Sequence, residues 1–223
     1  MNIFKYDVYR GPNIGIYAKV NDEKIFLPSG FAKSKASHLE EYLDAQAVYT
    51  SVANTRLMGA LTVMNNHGML LPNTVSETEF DFYKKQTDLN VAILDTKFTA
   101  LGNMISVNDK GGIVSPIIPK DEVKQIEDYL DVEIMQKRIA GYNQVGAMMV
   151  TTSHGGIIHP ETDDDDVRKI SDMLGINLEP ATINGGIPFV SSGVLANNKG
   201  IVVGSFTSGP EIMMLTRAFQ NNI

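Results

Sequence analysis

The sequence predicts an α/β ring of five quasi-equivalent units, each of about 44 residues, arranged around a pseudo-fivefold axis. The first observation behind this is a turn that occurs five times in variation. Its copies are Val20-Asn21-Asp22-Glu23-Lys24, Met64-Asn65-Asn66-His67-Gly68, Val107-Asn108-Asp109-Lys110-Gly111, Thr151-Thr152-Ser153-His154-Gly155 and Ala196-Asn197-Asn198-Lys199-Gly200. Asn and Asp bond to nearby backbone, and a closing Gly would take the positive φ that other residues resist. The second observation is a column of small residues, Gly15, Gly59, Gly102, Gly146 and Ser191, five residues before each copy. The third is an apolar run after each turn, followed by apolar residues at i, i+3, i+7 in the same register, as in Val123, Ile126 and Leu130. That spacing puts the three on one helix face. Turn, strand and helix face in fixed register five times over is the signature of a repeat architecture.

The units run about 1–45, 46–89, 90–132, 133–177 and 178–223, all within a single domain. Unit one opens with an alternating strand from Asn2 to Tyr9, ended by Arg10-Gly11-Pro12. A second strand, Ile14 to Val20, enters the turn, and a third, Ile25 to Leu27, leaves it. A helix follows over about Ser34 to Ala45. Unit two repeats this with strands at Ala47 to Val52, Ala60 to Val63 and Met69 to Pro72, and a helix over about Ser76 to Gln86. That helix has the weakest pattern, because Thr87 replaces an apolar residue. Units three and four place proline and acids at the helix start, in Pro119-Lys120-Asp121-Glu122 and Pro160-Glu161-Thr162-Asp163, where free N–H groups favour negative charge. Asp163 to Asp166 lacks the alternating spacing of a calcium loop and reads as a solvated helix start. Unit five closes with a helix over about Gly209 to Gln220. Units this small cannot fold alone and must share a core. An open stack would need polar capping units, whereas a ring removes free strand edges. In the ring the helices form the outer wall and the inner strands line a central channel.

Composition bounds the chemistry. The 223 residues are 43 % hydrophobic and 20 % charged, an ordinary soluble balance. No apolar run approaches a membrane span, and the start lacks a signal-peptide core, so a cytoplasmic protein is expected. The net charge of −7 opposes a protein that coats nucleic acid over a broad basic face and suits a basic protein partner. The absence of cysteine removes disulfides, thiolate metal sites and a cysteine nucleophile. The four histidines, His38, His67, His154 and His159, fall at turns, loops or a helix and do not read as a metal site. The Gly-Gly pairs at 111–112, 155–156 and 185–186 lack the Lys-Ser/Thr of a P-loop and read as tight turns.

A five-unit ring of this type resembles the pentein superfamily. That resemblance implies either a guanidine-modifying enzyme or a ribosome-binding factor. The enzymes attack a guanidinium carbon with a cysteine thiolate, so here the enzyme alternative would need an unrecognised nucleophile. Several stretches are more specific: Leu101-Gly102-Asn103 followed by Asn108-Asp109, Asn66-His67-Gly68 with Leu70-Leu71-Pro72-Asn73, Gly155-Gly156-Ile157-Ile158-His159-Pro160, and Thr182-Ile183-Asn184 with Gly186. Together they resemble the translation initiation factor 6 family, in order over essentially the whole chain. The resemblance implies a non-enzymatic ring that binds the large ribosomal subunit and blocks its joining to the small one. It also implies docking beside the sarcin–ricin loop, largely on a ribosomal protein and with limited rRNA contact. Eukaryotic members carry a C-terminal tail, so a sequence ending at Ile223 resembles the archaeal form. A monomer is expected, with no cofactor, no metal, no DNA and no membrane.

Candidate ribosome-binding residues come from the repeat itself, because a residue that breaks its column is a candidate for function. The position after the small-residue column holds Ile16, Ala60, Asn103, Ala147 and Ser192, so Asn103 is its one large polar residue. The turn residues Asn66, His67, Asn108 and Asp109 should cluster at one end of the ring. Arg56 and Asn184, which precede inner strands, complete the set.

Overall fold

Each repeated turn joins an inner to a middle strand, and five three-stranded sheets result, set around one axis in a mixed α/β ring. The computed structural model describes residues 1–220. In each sheet a short inner strand runs antiparallel to the middle strand, which pairs in parallel with an outer strand. In the first sheet these are Lys19–Val20, Lys24–Pro28 and Gln46–Thr50. The outer strand therefore comes from the next sequence unit. For the last sheet, Val194–Ala196 and Gly200–Val203, the outer strand is Asn2–Lys5 from the chain's start. The circle closes by pairing Asn2 through Lys5 with Gly200 through Val203.

The long helices form the wall, as the apolar spacing predicts. They span Lys33–Leu43, Glu77–Gln86, Lys120–Leu130, Asp164–Leu174 and Gly209–Phe219. Val123, Ile126 and Leu130 are buried, as are Ala36, Leu39 and Leu43. The second helix stops one residue before Thr87, which caps it, and Tyr83 carries its face, fully buried with its hydroxyl donating to Ser51 O at 3.0 Å. Asp163 caps the fourth helix by accepting from Asp166 N at 2.8 Å.

Three expectations need correction. The stretches read as second strands, Ile14 to Val20 and Ala60 to Val63, begin instead as helical turns, Ile14–Tyr17 and Met58–Leu61. Only two residues of true strand follow each, Lys19–Val20 and Val63–Met64. Leu101–Met104, Val145–Met148 and the 3-10 turn Val190–Gly193 complete a circle in which each turn packs on the next and the last on the first. The channel is consequently lined by these turns as well as by inner strands. The column glycines explain the geometry. A Cβ on Gly59 would collide with Gly15 O, one on Gly102 with Gly59 O, and one on Gly146 with Gly102 O. Backbone meets backbone around the axis. The unit that carries Ser191 in place of glycine is also the one whose turn is 3-10.

The closing glycines are the second correction, because Gly68, Gly111, Gly155 and Gly200 do not have positive φ. Each instead lies against a carbonyl near the end of the next unit's helix: Tyr129 O, Met173 O, Ala218 O and Tyr42 O respectively. Lys24 stands in this column where the matching helix, Glu77–Gln86, is the shortest of the five. The third correction follows from the second. Gly111–Gly112 and Gly155–Gly156 open middle strands in close quarters, and only Gly185–Gly186 forms a positive-φ turn, at 78° and 107°.

Backbone carbonyls cannot move aside as a flexible side chain can. Gly59→Ala is therefore expected to cost on the order of 3 kcal/mol or more in urea unfolding. Gly209→Ala, where a Cβ meets nothing within 4 Å, is expected to be neutral or slightly stabilising. Similar losses for the two variants would refute backbone contact at the axis.

Candidate functional site

Parallel pairing of middle and outer strands gives the ring two distinct ends. The repeated turns lie at one, which we term the turn end, and the loops that follow the outer strands lie at the other, the loop end. The seven candidates divide between them. Asn66, His67, Asn108 and Asp109 are at the turn end, while Arg56, Asn103 and Asn184 are at the loop end.

At the turn end, polar side chains are engaged with one another. Asn65 Oδ1 accepts from His67 N at 3.0 Å and Gly68 N at 2.9 Å, which shapes its own turn. Its Nδ2 donates to Asn108 O at 3.2 Å in the next turn and to Leu130 O at 2.8 Å at a helix end. Asn108 repeats the pattern toward Thr152 O and Leu174 O, and Asn197 toward Asn21 O and Leu43 O. Asn21 reaches Asn65 O and no helix end. One position further on, a closed circle of side chains joins Asp22, Asn66, Asp109, Ser153 and Asn198, with side-chain contacts of 2.6–2.8 Å along Asp22–Asn66–Asp109–Ser153 and Asn198–Asp22. Ser153 N donates to Asn198 Oδ1 at 2.8 Å and completes it. Asn108 is buried and structural, Asn66 and Asp109 are members of the circle, and His67 alone of the four is exposed.

The loop end differs. Arg56 is exposed and lies over the ring of Tyr9 at 5.4 Å, across the boundary between units. Asn103 is part-exposed; its backbone N donates to Ala100 O at 3.0 Å, and its side-chain amide has no partner among the described residues. Asn184, at φ 52°, is buried and bonded to Thr207 and to Pro12 O. Around these stand exposed apolar side chains: Tyr9, Leu57, Tyr142, Ile187 and Phe189 in the loops, Ile117 and Phe206 just beyond middle strands. Tyr142, Phe189 and the buried His159 form an aromatic group with centroids 5.5–6.2 Å apart. Burial lowers the pKa of His159, against a smaller raising effect from Glu161. Exposed cations Arg10, Arg56, Lys97 and Arg138 share this end with the exposed acids Asp95, Glu161, Asp163 and Asp164.

Two carboxylates hold these loops in shape. Glu211 accepts from Thr182 Oγ1, Gly185 N, Gly186 N and both Ser208 groups at 2.7–3.1 Å. Burial pushes its carboxyl up, but the bonds from Ser208, Gly186 and Thr182 outweigh this and hold it down at about 2. Glu79 does the same for Ser51, Asn54 and Ser76, and its pKa is likewise lowered against the effect of burial. Sequence reasoning passed over both, although Ser76…Glu79 and Ser208…Glu211 carry the spacing of a capping box. Among the described residues no three His, Asp or Glu side chains converge as a metal site requires, and no helix is long and apolar enough to cross a membrane.

The eIF-6 family model matches residues 3–218. The chain belongs to the eIF-6 family. It is 77 % identical to the translation initiation factor 6 of Cenarchaeum symbiosum (strain A), over 98 % of this chain and 99 % of the relative. Identity to that of Nitrosopumilus maritimus (strain SCM1) is 66 %, over 99 % and 100 %. Identity to that of Staphylothermus marinus is 37 %, over 97 % of both. The resemblance read from Leu101-Gly102-Asn103 and its companion stretches is thus borne out along nearly the whole chain. The scaffold of this eIF-6 family member also places its column-breaking residue, Asn103, at the loop end of the ring.

Two outcomes test the site's architecture. Glu211 has a depressed folded pKa, so its stabilising contribution is complete above the ordinary value of 4.5 and is lost as pH falls toward about 2. The advantage of wild type over Glu211→Gln in urea unfolding is expected to be flat at neutral pH and to shrink across that window. At the turn end, Asn65→Ala should cost about 1–3 kcal/mol more than Asn21→Ala, because only the former strands a helix-end carbonyl. Equal costs would refute the helix-capping role.

Proposed function

We propose that this protein acts in translation initiation as a steric factor, binding the large ribosomal subunit through its loop end and preventing the small subunit from joining. The observation that carries this reading is the loop end itself. It gathers exposed aromatic and aliphatic side chains with Arg10, Arg56, Lys97 and Arg138 on one rigid face. Aromatic and arginine residues are those that dominate binding energy at interfaces. The apolar groups suit a ribosomal protein, and the cations suit a limited stretch of rRNA phosphate. Family membership supports the reading, since the relatives are translation initiation factors by name. Of the seven candidates, Arg56 and Asn103 belong to the docking face on this reading, and the buried Asn108 and Asn184 belong to the scaffold. The turn end faces away from the subunit.

A factor that only occludes a surface requires no reacting group. The thiolate attack of guanidine-modifying penteins has no nucleophile in a chain without cysteine. The free protein is taken as a cytoplasmic monomer that acts without nucleotide, metal or other cofactor.

Co-sedimentation with purified large subunits tests both the function and the end that docks. Wild type should bind at about one copy per subunit and lower the yield of joined ribosomes. Asn103→Arg and Leu57→Asp should each weaken binding at least about tenfold, roughly 1.4 kcal/mol, with little change in Tm. His67→Arg, at the turn end, should bind as wild type does. Loss of binding in His67→Arg with retention in Asn103→Arg would move the docking face to the turn end, and no binding by wild type would end the proposal.

A further inference from the structure

The ring axis encloses a cavity of about 90 Å3 between the inner turns and the inner strands. Among the described residues Lys19 is the only charged one that lines it. Its column equivalents are Val63, Ser106, Val150 and Leu195, so the lysine is a departure from the repeat, not a requirement of it. Among the described residues Lys19, which is part-buried, has neither a hydrogen-bond partner for Nζ nor a carboxylate within salt-bridge distance, and Ser106 also lines the cavity. Asp22 and Asp109 line a second pocket at the turn end and are bonded to Asn66, Asn198 and Ser153.

A part-buried ammonium with no paired carboxylate is costly to the extent that it loses water. Burial here lowers the pKa of Lys19 to about 8, which still leaves it mostly protonated at neutral pH. The protein therefore keeps a positive charge inside a polar cavity and supplies no counter-charge along the wall. We propose that the axial cavity is a binding site for one small monovalent inorganic anion, held by the Lys19 ammonium and the Ser106 hydroxyl. The charge of the ligand follows from the wall. One cation in the wall balances one negative charge, and a divalent oxyanion would leave one charge uncompensated in a cavity whose wall carries no other cation. Chloride fits the volume and accepts hydrogen bonds from any direction, so it and bromide are the probes.

Crystals of the full chain equilibrated with sodium bromide should show an anomalous peak in the axial cavity against Lys19 Nζ. Lys19→Met, similar in volume and uncharged, should show none. In solution, replacing gluconate by chloride at constant ionic strength should raise the wild-type Tm by about 2–4 °C at chloride well above its dissociation constant. Lys19→Met should not respond. Lys19→Gln, which keeps polarity without charge, serves as a second variant and should behave as Lys19→Met does. Ordered water alone in the wild-type cavity, with no bromide peak there, would overturn the proposal whatever the variants do. So would an equal chloride response in wild type and in a folded Lys19 variant.

Discussion

The buried amide of the repeated turn is the contact on which the ring depends. In Asn65 the carbonyl oxygen shapes its own turn while the nitrogen ties together the next turn and a helix end. A single side chain thus joins local structure, neighbouring units and the outer wall. Each inner strand is only two or three residues long, far below what a sheet needs to stand alone. Without the amides, buried carbonyls at both turn and helix end would lose their partners, at a cost of about 1–3 kcal/mol each. Closure by Asn2–Lys5 against Gly200–Val203 then makes the two ends of the chain part of one sheet. No unit is complete by itself, so the units should fold and unfold together.

The fold was legible wherever its cause was local. Turn chemistry and helix periodicity are properties of a few adjacent residues, and the five helices fall where Ala36/Leu39/Leu43 and its counterparts place them. The inner turns were not legible for the opposite reason. Ile14-Gly15-Ile16-Tyr17 alternates as a strand would, and four residues are too few to separate a period of 2 from one of 3.6. What its glycine answers to is the close approach of Ser191 O, distant in sequence, which exists only once the ring has closed. The same holds for Gly68 and Gly111. Their column was visible, but the carbonyls of Tyr129 and Met173 that require it lie tens of residues away.

The candidate site was legible in part. Comparing columns singled out Asn103, and the structure leaves its amide free and part-exposed at the loop end. The same comparison could have singled out Lys19 against Val63, Val150 and Leu195. Grouping Asn103 with Asn108 and Asp109 treated neighbours in sequence as neighbours in space, yet an inner strand carries the chain from one end of the ring to the other between them. The exposed apolar side chains had no period to betray them. They sit in loops of unequal sequence, and only the parallel pairing of middle and outer strands shows that Tyr9, Leu57, Tyr142 and Phe189 share an end.

A quasi-symmetric ring that docks on an asymmetric partner must break its symmetry somewhere, and the two ends differ in their freedom to do so. At the turn end, Asn21, Asn65, Asn108 and Asn197 reach the following turn and Asp22, Asn66, Asp109, Ser153 and Asn198 form a closed circle, so a change at one position disturbs two neighbours. Even Thr152, the one turn residue with no amide to donate onward, keeps its hydroxyl within the turn by bonding Gly155 O. Side chains committed in this way cannot also recognise a ligand. At the loop end the backbone is secured from behind, by Glu79 and Glu211 from the helix starts and by single bridges such as Val52 to Thr55. The outward-facing positions there are left free to vary. On the proposed reading, recognition falls at the loop end because the ring needs least from the residues that point outward there.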